Sequence, residues 1–230
     1  MIFRNFIAII LGVLMCVQIS HAQSNIFKGD VEANAKLISD YRFRGVSRTS
    51  NDFAVQGGVD FYSDTGLYTG LWASNVDGFN GAFAETNLYV GYSGEAKGFI
   101  YDFGATAYIF PGGDNVNHIE TYGSLGIDFG LLTSSVGLAY MPNQGNLGDN
   151  DNIYLYNDTK FYVPDTPFSI DLHLGFENGA IGGSKKVDWK IGTSVSFENF
   201  ELGIAYVDTN RNNLGQRFDS GVLFSVTGYF

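Results

Sequence analysis

Residues 168–177 read Phe-Ser-Ile-Asp-Leu-His-Leu-Gly-Phe-Glu, and this stretch decides the fold. Phe168, Ile170, Leu172, Leu174 and Phe176 fall on one side of an extended chain, and Ser169, Asp171, His173, Gly175 and Glu177 on the other. Successive side chains of a strand point to opposite faces, so this alternation describes a strand with one apolar and one polar face. A helix would repeat at three and four residues instead. The pattern recurs along the chain. Phe99, Tyr101, Phe103, Ala105, Ala107 and Ile109 alternate with Asp102, Gly104, Thr106 and Tyr108. Val187, Trp189, Ile191, Thr193, Val195 and Phe197 alternate with Asp188, Lys190, Gly192, Ser194 and Ser196, and near the start Val31, Ala33, Ala35 and Leu37 alternate with Glu32, Asn34 and Lys36.

About twelve such segments can be placed, each near the ~10 residues of a tilted membrane strand: 31–44, 52–62, 67–74, 84–92, 99–110, 118–129, 132–140, 152–162, 168–177, 187–197, 201–207 and 217–230. The connections alternate in length. Short ones at 63–66, 93–98, 130–131, 163–167 and 198–200 interleave with longer, polar ones at 45–51, 75–83, 111–117, 141–151, 178–186 and 208–216. Short turns at one rim and long loops at the other is the arrangement of outer-membrane barrels. The four prolines, Pro111, Pro142, Pro164 and Pro167, all fall in connections, where a missing N–H breaks no ladder.

Composition narrows the class. The 230 residues are 45% hydrophobic and 16% aromatic but only 16% charged, which argues against disorder. Twenty-four acids against 13 bases give a net charge of −11 and argue against a nucleic-acid binder. Residues 1–22 read as a cleaved secretory signal, with Arg4 in the basic region, an apolar run over 6–17 and Ser20-His21-Ala22 as the cleavage site. That run is short of the ~20 residues of a spanning helix. The single cysteine, Cys16, lies in this leader, so an exported domain over 23–230 builds no disulfide.

Alternation alone also fits a soluble sandwich or a lipocalin-like barrel with the apolar face inward. Three features favour the membrane: a polar face of Gly, Ser and lone acids, aromatics at segment ends, and a final strand in which Phe218, Ser220, Val222, Phe224, Val226, Gly228 and Phe230 share a face. A terminal strand ending in Phe resembles the signal read by bacterial barrel-assembly machinery. Hydrocarbon offers backbone groups no water, so strands in it must pair all the way round. The expected fold is all-β, a single transmembrane antiparallel β-barrel, with the Tyr and Phe at strand ends, together with Trp72 and Trp189, as girdles against outer-membrane lipids.

Ser39-Asp40-Tyr41-Arg42-Phe43-Arg44-Gly45, then Gln56-Gly57-Gly58 and the run from Gly66 to Asn75, resemble the opening signature of the TorF family of porins. The resemblance is sharpest over 31–77. It implies a barrel in the outer membrane of a Gram-negative bacterium; small solutes or ions are the cargo expected of a passive pore of this kind.

The polar face would line the lumen with Asp40, Arg42, Arg44, Asp60, Glu85, Asp102, Glu120, Asp171, His173, Glu177, Asp188 and Lys190. Acids prevail there, which predicts a preference for cations. Arg42 and Arg44, two apart on the first strand, are expected on its inner face, in salt bridges or selecting an anion. A barrel enzyme of the lipase or deacylase type is the rival reading, since His118 with Glu120, or Asp171 with His173, could serve a serine. A structural or adhesive barrel is the third. No catalytic residue, metal or cofactor is expected: Asp149-Asn150-Asp151-Asn152 lacks the spacing of a calcium loop, and the histidines cannot complete a zinc site.

Overall fold

The computed structural model describes residues 28–230, so the leader expected over 1–22 lies outside the described residues. The alternating stretches become strands β1 (Gly29–Ile38), β4 (Ala54–Ser63), β5 (Leu67–Phe79), β6 (Ala82–Ala96), β7 (Phe99–Ile109), β8 (His118–Asp128), β9 (Leu132–Met141), β10 (Asn152–Tyr162), β11 (Phe168–Gly179), β12 (Gly183–Phe197), β13 (Phe200–Thr209) and β14 (Gly221–Tyr229). Each pairs antiparallel with its neighbours, and β1 bonds both β4 and β14, closing a 12-stranded barrel. The seam is extended past β14 by a pair of backbone bonds between Ala33 and Phe230, at 2.8 and 3.0 Å.

The faces are sorted as a membrane demands. On β11, Phe168, Ile170, Leu172, Leu174 and Phe176 are exposed, while Ser169 and Glu177 are buried. Outward side chains elsewhere, among them Phe103, Leu125, Ile191 and Phe224, are 54–61% exposed. An apolar belt of this extent around a whole molecule is a surface for hydrocarbon. Phe99, Phe129, Phe168, Phe197, Phe200, Tyr229 and Phe230 ring the short-turn rim. Trp72 departs from the expected girdle: it faces inward, edge-on to Tyr41 at 5.4 Å. Trp189 pairs across from the outward Leu174.

The first strand is the main correction. It was expected to run to Arg44, but β1 ends at Ile38, and residues 39–53 turn into the barrel as a separate hairpin of β2 (Arg42–Phe43) and β3 (Val46–Ser47). Arg44 (φ 49°) and Gly45 (φ 82°) form its two-residue tip, the backbone signs of a type I′ turn. Two expected long loops are also tight turns. Residues 75–79 extend β5 to a turn at Asn80-Gly81, and β11 and β12 continue to Gly179 and from Gly183, so the wall rises higher on those sides. Both extensions carry a register irregularity, between Asn75 and Phe79 and between Glu177 and Gly179.

Candidate functional site

The hairpin is fastened to the inner wall on two sides. On one side Tyr41, Ala54, Val76, Ala82, Phe110 and Val116 form an apolar cluster, with Ile38, Phe43, Trp72 and Phe79 packed on it. The Arg48 guanidinium lies over Phe79 at 4.2 Å and Phe43 at 4.8 Å, a buried cation among ring faces. Beneath it Glu85, fully buried on β6, accepts from the Tyr41 hydroxyl at 3.1 Å and from Asn87 at 3.1 Å.

The other side is ionic. Arg44 reaches across the lumen and donates to Glu120 on β8 at 2.6 and 2.7 Å and to Glu177 on β11 at 2.6 Å, with its guanidinium 4.2 Å over Tyr154. Burial by itself would disfavour the arginine charge, but the carboxylates of Glu120 and Glu177 outweigh it and hold its pKa above the ordinary value. Lys186 on β12 donates to the Arg44 carbonyl at 2.6 Å and pairs with Glu177 at 2.6 Å. Gly45 lets the tip approach β12 this closely: a Cβ there would stand 2.7 Å from the Asp188 Cβ. Arg42 points the opposite way. It pairs with Asp40 at 2.5 Å and donates to the carbonyls of Gly45, Arg217 and Asp219, which ties the hairpin to the 210–220 loop above it.

Asp40, Arg42 and Arg44 therefore belong to the inserted hairpin and not to a wall strand, because the tip turn reverses the chain before a strand could continue. Asp60, Glu85, Asp102, Glu120, Asp171, His173, Glu177, Asp188 and Lys190 project from wall strands. Glu120 and Glu177 are consumed by the Arg44 clamp. His173 is held between Asp158 at 2.7 Å and Asp188 at 3.1 Å, with the Tyr154 hydroxyl at 2.7 Å from Nε2. His118 packs between Tyr108 and Phe110 with Nδ1 on the Val116 carbonyl at 2.9 Å. Sequence reasoning did not foresee Lys186, placed in a loop, or Arg48. Tyrosines at strand ends were expected in the girdles, yet Tyr68 and Tyr154 point inward, as do Tyr89, Tyr122 and Tyr156, while Tyr108 stands on the polar face where it was expected. The parity with Asp102, Asp158 and His173 in paired strands carried that signal.

Below the hairpin, towards the short turns, lies a cavity of about 740 Å³ lined by Arg42, Arg44, Lys36, Lys190, Asp158, Asp171, His173, Glu201, Tyr122 and Tyr156 among others. Lys160 bridges Asp171 and Glu201, each at 3.6 Å. A second recess of about 430 Å³ opens beside it between β4 and β8. The geometry is a charge-lined cavity inside the barrel, bounded on one side by the protein's own hairpin.

Among solved structures the fold is similar to the NanC porin (TM-score 0.60, 9% identity, covering 86% of this chain and 98% of that one) and to the KdgM porin (TM-score 0.57, 9% identity, covering 87% and 97%). By sequence, no curated protein matches the chain. The family model that does match spans residues 23–224, and the chain accordingly belongs to Gcw_chp, described as a bacterial protein of unknown function.

Proposed function

We propose that the protein is an outer-membrane, porin-like channel for passive diffusion of ions and small solutes, narrowed by its hairpin and preferring cations. The observation that carries this reading is a polar, charge-lined cavity inside a closed barrel whose outer face is apolar. Carboxylates in a confined aqueous path concentrate cations and repel anions. The likeness in fold to NanC and KdgM supports a channel, and KdgM has been solved with oligogalacturonate. The TorF resemblance and the reading of 1–22 as a leader support export to the outer membrane, with lipids around the belt and assembly machinery reading the strand that ends at Phe230. A non-enzymatic role is supported by the structural partners the histidines hold, the Val116 carbonyl for His118 and Asp158, Asp188 and Tyr154 for His173.

Planar-bilayer recording under a salt gradient tests the reading. Discrete current steps with a cation-favouring reversal potential are the expected result. Silence from protein shown to be folded and inserted would overturn it in favour of the adhesive or enzymatic barrel.

A further inference from the structure

The recess between β4 and β8 has a chemistry of its own. Its walls carry Tyr62, Tyr68, Tyr89 and Tyr122 together with Asp60 and Asp102, and no lysine or arginine lines it. The tyrosines are seated by glycines of the neighbouring strands. A Cβ on Gly70 would lie 2.6 Å from the Tyr89 ring, one on Gly104 would lie 2.7 Å from that of Tyr122, and one on Gly91 would collide with Tyr68. Each of these rings therefore lies along the wall over the missing side chain of its cross-strand partner. Three of the four hydroxyls are already committed. Tyr68 donates to Asp102 at 2.6 Å and meets the Tyr122 hydroxyl at 2.6 Å, and Tyr89 donates to Asp60. What remains for a visitor is aromatic surface and carboxylate charge. Neither Asp60 nor Asp102 has a cationic partner among the described residues, and the second oxygen of each takes no protein hydrogen bond there.

We propose that this recess is a binding station for quaternary ammonium solutes on the diffusion path. Ring faces attract cations through their quadrupole, and a quaternary ammonium group, which donates no hydrogen bond, is the cation best served by such surfaces. Two uncompensated carboxylates supply the long-range attraction in a medium less polar than bulk water. An alkali ion gains less from the rings because it must shed firmly held water. A neutral sugar would use the rings but leave the carboxylate charge unused. Tyr122 lines both the recess and the main cavity, so a cation held here stands beside the path below the hairpin.

The inference rests on the channel reading, and the test separates the two. Choline added on the short-turn side of a bilayer carrying potassium current should reduce that current saturably. Its neutral isostere 3,3-dimethylbutan-1-ol should not. In the double variant D60N/D102N the half-blocking choline concentration should rise about tenfold or more, with the boiling-dependent gel shift checking that the barrel has folded. Tyr68→Phe, which keeps the ring, should retain the block. Equal effects of choline and the alcohol, or a block that survives D60N/D102N, would overturn the station while leaving the channel standing. If folded protein carries no current, calorimetric titration of choline into the detergent-solubilised barrel decides the matter alone: heat of saturable binding in the wild type and none in D60N/D102N is expected, and none in either removes the station.

Discussion

Gly45 meets two constraints at once, a left-handed backbone at φ 82° and a wall that leaves no room for a Cβ beside Asp188. Gly45→Ala should cost about 1–2 kcal/mol for the backbone alone, and the contact with Asp188 adds to it. The expected outcome is a loosened hairpin, seen as larger and noisier single-channel current. Arg44 is the complementary case, since its removal leaves Glu120 buried with no cation. Arg44→Gln should destabilise by about 3–5 kcal/mol, the usual cost of breaking a buried pair, and lower the temperature at which the gel-mobility shift is lost. At this scale the sequence was only partly legible. That Arg44 pairs with carboxylates followed from its charge and inward position. That it sits at a turn did not, because Arg-Gly is not among the dipeptides that announce a type I′ hairpin, and the alternation, broken only at Ile38 and Ser39, resumes with Tyr41 and Phe43.

Among the elements, strand existence was readable almost throughout, since a barrel wet inside and greasy outside imposes period two on every segment. Strand ends were harder. Asn75–Phe79 and the residues flanking Ala180 carry Asn, Asp and Gly, as a loop would, yet the strands continue there through a register irregularity, and Val76 and Phe79 pack on the apolar cluster that fastens the hairpin. The seam offers a test at the same scale. Phe230 contributes two backbone hydrogen bonds to Ala33 and an exposed ring at the rim. Deleting Phe230 should slow barrel formation and lower its yield, measured as the fraction of gel-shifted protein on refolding into detergent or lipid vesicles.

For the molecule as a whole, charge is distributed unevenly around the lumen. The wall from β4 to β7 carries Asp60 and Asp102, which have no cationic partner among the described residues, while Lys36, Lys160 and Lys190 stand on β1, β10 and β12. Asp60→Asn with Asp102→Asn should reduce the cation-over-anion permeability ratio about twofold or more, read as a shift of the reversal potential. Glu85→Gln should leave that potential unchanged, because Glu85 is fully buried beneath Tyr41 and never meets the solute path. Parity told which residues point inward but not which of them touch water, since a hairpin folded into the barrel buries inward-facing side chains that alternation counts as lumen. The hairpin has one further consequence. Two of its arginines, Arg42 and Arg44, bind residues up to 177 positions away, on β8, β11 and the 210–220 loop, while Lys186 of β12 grips its tip. Slipping any of these wall strands by one residue would swing its gripping side chain out towards lipid. The hairpin thus works as a gauge of register: only a correctly zipped and fully closed cylinder satisfies all its contacts, so a miswound barrel forfeits the energy that latches the finished one.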